Sequence, residues 1–393
     1  QEKAMNIGAK ISPLVAEQLD YAIELRRYFH QHPELAFQEN VTCAKIVGEL
    51  EDAGFHCQEL AGTGVITTLD TGVAGPTILL RADMDGLPVQ EDSTIPWKSK
   101  NEGCMHACGH DAHMAIMVTL ATILKKHPPK KGKIIFVFQP AEEGGSGAQR
   151  MLEEGLSLKD VDKALAFHVW SPFPVGTIGI TKGSAMASVD RFTAVVSGKG
   201  THAAVPEGGI DPVVIAAQVI SAAQTLVSRR TSPQQAAVLS FTSIHGGTTH
   251  NVIPSSVELM GTIRSLDSNV RQAVKRELLE LGRSIANAMG GSFELSFIGG
   301  LPVLENDADF CDCVRKCAQS IVEDENILCA EALLVGEDMA LFLDVVPGAM
   351  IFIGCGNDEL AAYPHHHPSF NVDEEALGVG IELALQVVNE LLQ

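Results

Sequence analysis

Apolar positions recur along this chain with two different periods, and the places where the period changes mark its organisation. Residues 14–32 set Leu14, Leu19, Ile23, Leu25 and Phe29 on one stripe, and Pro33 closes the run. That spacing predicts an amphipathic helix. A second helical run covers 41–52 and stops at Gly54. Short β-type runs follow at 65–69 and 77–80, then a helix from about 113 to 125. Residues 133–138 end in Ile-Ile-Phe-Val-Phe, the uninterrupted apolar pattern of a strand buried on both faces. A further strand is expected at 164–167. The alternation of strand and helix predicts an α/β fold, a mostly parallel sheet with helices on both faces.

Near Ser188 the pattern changes. Residues 189–196 alternate like a half-exposed strand, 212–227 read as a long helix, and 237–244 and 257–263 as strands. A helix over 267–289 and a strand over 293–297 complete a β-α-β-β-α-β order, the ferredoxin-like arrangement. Residues 188–299 are therefore expected to form an inserted α+β lid or dimerisation domain. Residues 1–187 and 300–393, which resume the α/β pattern through a strand at 349–353 and a helix at 374–392, would form one discontinuous domain. The inserted domain's β edge offers a surface on which a homodimer or a larger homo-oligomer would form.

Composition narrows the class. The 393 residues are 46% hydrophobic and 20% charged, values of a globular protein, and no apolar run reaches the length of a membrane span. A net charge of −21 repels phosphate backbones and anionic membranes, so neither a nucleic-acid nor a membrane partner is expected. Small anionic substrates stay possible where a metal or an arginine supplies local positive charge. The nine cysteines follow no disulfide framework, and the start lacks a basic, apolar, small-residue pattern. Both features suggest a reducing cytoplasm. Cys311, Cys313, Cys317 and Cys329 resemble a cluster, but Phe310, Val314, Cys317 and Ile321 recur at helical spacing after Asp307, which makes Cys317 helix core.

The chemistry is concentrated just past the predicted strands, where open α/β sheets bind ligands. Met105-His106-Ala107-Cys108-Gly109-His110-Asp111-Ala112-His113 carries thiolate, imidazole and carboxylate within nine residues, a donor mixture suited to transition metals. The strand near Leu80 leads to Asp83 and Asp85, that near Phe138 to Glu142 and Glu143, that near Phe167 to His168, and that near Ile353 to His365, His366 and His367. Glu142 and Glu143 are adjacent and cannot point the same way. One can bind a metal while the other serves as a base towards a metal-acidified water.

These residues resemble the M20-type metallopeptidases, in particular the amidohydrolase branch that includes hippurate hydrolases, N-acetyl-amino-acid deacetylases and plant auxin–amino-acid conjugate hydrolases. The resemblance spans nearly the whole chain. It rests on His30-Gln31-His32-Pro33-Glu34-Leu35, Leu80-Arg81-Ala82-Asp83-Met84-Asp85, the stretch around Cys108, and Gln139-Pro140-Ala141-Glu142-Glu143-Gly144. It continues through Gly198-Lys199-Gly200-Thr201-His202-Ala203-Ala204, Asn251-Val252-Ile253-Pro254, Gly261-Thr262-Ile263-Arg264 and His366-His367-Pro368-Ser369-Phe370.

The resemblance implies a metal-dependent amidohydrolase acting on N-acylated amino acids. Two divalent metal ions per subunit, zinc or manganese and less obviously cobalt or nickel, would be held by Cys108, His110, Glu143, His168 and His366. Glu142 would be the general base. His366 is chosen over His367 by its spacing to Pro368. Many M20 peptidases carry a metal-binding histidine at the place of Asp83; its absence fits a site built on Cys108 and His110, with Asp85 orienting an imidazole. His202 would steady the oxyanion, in its own or a partner subunit, although by sequence alone it reads as a loop histidine. Asn251 and Arg264 would bind the substrate carboxylate. Asp111 and His113 would cap and pack the helix that follows, and His106 has no assigned role. Two alternatives compete: a dipeptidase or aminopeptidase on the same scaffold, and a non-catalytic metal-binding protein.

Overall fold

A computed structural model describes residues 8–359 and 361–393. The chain separates into two compact units. Of the described residues, the first comprises those within 8–183, 305–331 and 341–393; the second comprises 184–304 and also 332–340, a stretch that the hydrophobic pattern does not single out.

The first unit is α/β. Its eight-stranded sheet runs, in spatial order, Cys57–Leu60, Gly64–Asp70, Lys133–Gln139, Thr77–Asp83, Lys163–Pro174, Gly348–Gly356, Ile178–Gly179 and Ile327–Leu328. The four central strands are parallel, and antiparallel pairs flank them. Each central strand reads as a continuous apolar run because the sheet is covered on both sides by helices. Thr77–Asp83 has Lys133–Gln139 on one side and Lys163–Pro174 on the other. The next parallel strand after Thr77–Asp83 is Lys133–Gln139 on one side, and the next after Lys163–Pro174 is Gly348–Gly356 on the other, so the connections diverge between these two adjacent strands, the usual place for a ligand crevice.

Four expectations need correction. The helix expected over 14–32 is two helices, Pro13–Ala16 and Leu19–Gln31. The strand expected to end at Leu80 continues to Asp83, so Asp83 lies in the ladder. The strand expected to end at Phe167 continues to Pro174, because Gly348–Gly356 keeps pairing with it; His168 stands opposite Phe352 inside the sheet. The helix expected from His113 starts at His110. Its N-cap is Gly109 at φ +88°, where a Cβ would lie 2.3 Å from Val169 Cγ2. Only glycine allows both that backbone turn and that approach.

The His110–Lys126 helix is apolar on nearly every side and is enclosed by the Leu19–Gln31 and Glu375–Leu392 helices. Gly380 permits the second contact: a Cβ there would meet Ile116 Cδ1 at 2.6 Å. The Ala308–Ala318 helix starts at Asp307, whose side chain accepts the Phe310 N–H at 2.8 Å, and Cys317 is buried in it. All nine cysteines are free thiols.

The second unit contains a four-stranded antiparallel sheet in the order Ala237–His245, Ser256–Ser265, Ser188–Ser197, Ser292–Leu301. Alternate residues of Ser188–Ser197 and Ser256–Ser265 are buried. Their buried side chains pack with those of the Pro212–Thr225 and Ser268–Ala288 helices into two apolar clusters. Asp211 and Asp267 cap those helices, accepting N–H groups of Val213 and Asn269 at 2.9 and 2.7 Å. No helix among the described residues is long and apolar enough to cross a membrane.

Candidate metal centre

The first unit brings Asp85, Cys108, His110, Glu142, Glu143, His168 and His366 together from five chain segments. Ligand atoms of Cys108, His110 and His168 lie within 4.8 Å of one another, as do those of Cys108, Glu143 and His366, and those of His110, Glu142 and Glu143.

The imidazoles are held by their outer nitrogens. His110 Nδ1 lies 2.9 Å from the Asp85 carbonyl oxygen, and as donor there it leaves Nε2 as the lone-pair atom. His168 Nδ1 lies 2.7 Å from the Val169 carbonyl oxygen, while its Nε2 faces Cys108 Sγ at 3.6 Å. Metal-ligating histidines are held in this way, with one nitrogen pinned and the other presented. His110 Nε2 is buried and has no hydrogen-bond partner among the described residues, a cost that a cation would remove. The donors, a thiolate, imidazoles and a carboxylate, match those of zinc and related ions. The residues thus fit a metal centre.

Glu142 and Glu143 are fixed through their backbone. Asp85 Oδ1 accepts the Glu142 N–H at 3.1 Å and Oδ2 accepts the Glu143 N–H at 2.9 Å. Just before them, Ala141 is left-handed at φ +55°, held by its N–H bond to buried Glu39 at 2.9 Å. A non-glycine residue in this region costs about 1–3 kcal/mol and persists only where its surroundings enforce it. His366 is left-handed too, at φ +66°, and its N–H donates to Ala107 O at 2.7 Å.

The three consecutive histidines have different surroundings. His366 Nε2 lies 3.1 Å from Glu143 Oε1. His365 stacks on Trp170 and accepts the Ser171 N–H, and His367 stacks on Tyr363 and accepts the Ser369 N–H.

The electrostatics show surplus negative charge. Contacts with Cys108 and Glu143 push His366 up to about 10, against the opposing effect of burial. Burial would raise Glu143, but His366 and His110 outweigh it and hold the carboxyl below its usual value. Burial pushes His110 down, yet Asp83 and Asp85 outweigh it and hold it well above normal. Burial raises the Cys108 thiol, and it sends His168 well below normal with help from His113 and His365.

Two residues read from the sequence as helix packing are part of the support, which corrects that expectation. His113 Nε2 accepts the Val169 N–H at 2.9 Å, so its Nδ1 carries the hydrogen and donates to Asp83 Oδ1 at 2.6 Å. Asp83 also meets Arg81 at 2.7 Å and lies 3.7 Å from His110 Nε2. Strand alternation, which puts Arg81 and Asp83 on one face, was the available signal. Asp111 does not cap its helix; its Oδ2 is buried against Arg26 and His30, both at 2.8 Å. His106 is buried, and neither of its ring nitrogens has a hydrogen-bond partner among the described residues.

The remaining expected site residues lie in the second unit. His202 is exposed on the short Thr201–His202 strand, opposite Val252. Asn251 stands next to it, with Ala203 N–H donating to Asn251 O at 3.0 Å. Arg264 is half-buried on Ser256–Ser265, and its NH1 has no hydrogen-bond partner among the described residues.

Residues 79–390 match the family model described as Peptidase family M20/M25/M40. The chain is 40% identical over 376 residues to an N-acetylcysteine deacetylase of Bacillus subtilis, covering 94% of this chain and 97% of that one. It is 38% identical over 383 residues to thermostable carboxypeptidase 2 of Saccharolobus solfataricus, covering 96% of each. Among solved structures it superposes on the YXEP protein of Bacillus subtilis, a dinuclear metal-binding peptidase from the M20 family, with a TM-score of 0.84 and 36% identity, covering 96% of this chain and 98% of that one.

Proposed function

The chain belongs to peptidase family M20/M25/M40, and from that premise we propose that it is a metal-dependent amidohydrolase cleaving N-acylated amino acids into a carboxylic acid and a free amino acid. The observation that carries this reading is the meeting of Cys108, His110, Glu143, His168 and His366 around presented ligand atoms, with Glu142 beside Glu143 and His110. The deacetylase relative supports the choice of substrate.

Those five residues would hold two divalent cations, as in the dinuclear relative; zinc or manganese suits the donors, and cobalt or nickel is compatible. Bound there, the cations supply Lewis acidity, polarising a carbonyl and acidifying water. Glu142 takes the proton of the attacking water and returns it to the leaving amine. Asp85 holds the Glu142–Glu143 backbone in place and orients His110. His202 donates to the developing oxyanion. Asn251 and Arg264 receive the substrate carboxylate, the guanidinium through paired donors. A homodimer in a reducing cytoplasm completes the reading; the nine free thiols support the compartment.

A second reading is favoured by the carboxypeptidase relative: removal of a C-terminal residue from a peptide, with the same residues acting on a peptide bond. A panel of N-acetyl and N-benzoyl amino acids against dipeptides, run after chelation and metal reconstitution, separates the two. Cleavage of peptides alone would establish the second reading. Metal binding without any amide cleavage would sink both and leave a non-catalytic metal-binding protein.

A further inference from the structure

Arg26 lies on the Leu19–Gln31 helix and is completely buried. Its guanidinium reaches separate segments of the chain. Nε donates to Asp111 Oδ2 at 2.8 Å, one terminal nitrogen to Asn371 Oδ1 at 2.7 Å, and the other to Glu374 Oε1 at 3.3 Å. Asp111 directly follows His110 in the chain, and Asn371 lies shortly after His366. One side chain from the N-terminal region therefore bridges the stretch that carries Cys108 and His110 and the stretch that carries His366.

Neighbouring groups extend the brace. His30, one turn after Arg26, places Nδ1 2.8 Å from Asp111 Oδ2 and Nε2 3.4 Å from Glu91 Oε1. Glu91 accepts the Ser99 N–H at 2.7 Å, and Asp92 N–H donates to Pro368 O at 3.0 Å. A well-packed apolar side chain would occupy the volume of Arg26 at lower desolvation cost. A planar guanidinium fork fixes the distance and direction between its acceptors, which an apolar side chain does not.

We propose that Arg26 is a positioning residue of the metal centre: by bridging Asp111 and Asn371 it sets the separation of Cys108 and His110 from His366. This rests on the ligand assignment proposed above. Arg26 touches no ligand itself and acts through the backbone of the two segments.

The test is a Co(II) titration of metal-free wild type, Arg26→Gln, Arg26→Lys and Asn371→Ala. It reads bound cobalt, the thiolate-to-cobalt charge-transfer absorption and the melting temperature of each metal-free protein. Arg26→Gln should bind cobalt about 10- to 100-fold more weakly, the usual range for loss of a residue that orients ligands, with an altered thiolate band. Arg26→Lys keeps the charge without the fork; it should recover melting temperature but not the band. Asn371→Ala leaves the Arg26–Asp111 pair intact and should show a smaller loss in the same direction. Lower melting temperatures with unchanged affinity and band would make Arg26 a purely structural residue and overturn the proposal. If Arg26→Gln does not fold, wild-type affinity and band in Asn371→Ala overturn it equally. Wild-type protein that binds cobalt without a thiolate band would remove the ligand assignment, and this inference with it.

Discussion

The carboxylate of Asp85 accepts the backbone N–H of Glu143 at 2.9 Å, and its second oxygen accepts that of Glu142. One side chain thereby fixes two neighbouring carboxylates without touching either carboxylate. The Asp85 backbone carbonyl also faces His110 Nδ1. Replacing Asp85 by Asn turns one acceptor into a donor and removes one of the two hydrogen bonds accepted from the Glu142 and Glu143 N–H groups. Asp85→Asn should lower kcat/KM by about 10- to 100-fold through misplacement of Glu142 and Glu143. Steady-state kinetics with metal analysis checks this; wild-type activity would show that the loop holds itself.

Glu142 and Glu143 should respond differently to substitution. Glu142→Gln removes the proposed base and should cost about 10²- to 10⁴-fold in kcat with metal content intact. Glu143→Gln, beside His366 and Cys108, should reduce metal content first. Elemental analysis alongside kinetics reads both, and loss of metal in the Glu142 variant would reverse the assignment.

The Cys108 thiolate should be visible directly. Co(II)-loaded wild type should show thiolate-to-metal charge-transfer absorption, and Cys108→Ser should lose it. An unchanged spectrum in the variant would take Cys108 out of the centre.

Stability in the second unit should depend on pH through Asp190. This buried carboxylate receives two bonds from Arg271, at 2.7 and 2.9 Å, and one from Lys275 at 2.8 Å. Burial raises its pKa, but the two cations outweigh burial and hold it below the usual value. A depressed folded-state pKa adds stability that is present above the unfolded value of about 3.9 and lost as pH falls through the folded one. Asp190→Ala should therefore destabilise the protein by roughly 3 kcal/mol near neutral pH, and the gap to wild type should narrow in acid. Denaturant melts across pH test this; a gap that stays constant would exclude the linkage.

Gly109→Ala should disrupt the turn into the His110–Lys126 helix. The φ of +88° is unfavourable for alanine, and its Cβ would strike Val169. The expected outcome is a lowered melting temperature together with loss of metal, since Cys108 and His110 flank the turn. A variant that melts like wild type and keeps its metal would show that the turn can relax.

Much of this molecule is written locally. The apolar runs at 77–80 and 133–138 predict buried parallel strands because a strand covered on both faces has no polar side to show. The alternation after Ser188 predicts a sheet with one open face for the converse reason. The donors were also legible, because thiolate, imidazole and carboxylate side chains follow the strands whose ends form the crevice. Strand ends were less so: Thr77–Asp83 and Lys163–Pro174 continue past their apolar residues, since backbone pairing with a neighbouring strand does not require apolar side chains.

The sequence by itself determined the α/β class, the ferredoxin-like insertion and the set of possible ligands, because these depend on periodicity and on side-chain chemistry. Tertiary structure alone decided how those side chains are used. It turned His366 towards Glu143 while stacking His365 and His367 on aromatic rings. It gave His113 to Asp83 and Asp111 to Arg26. These pairings join residues up to 223 positions apart in the chain (366 − 143), and such contacts are set by distances of a few ångströms that no local pattern encodes.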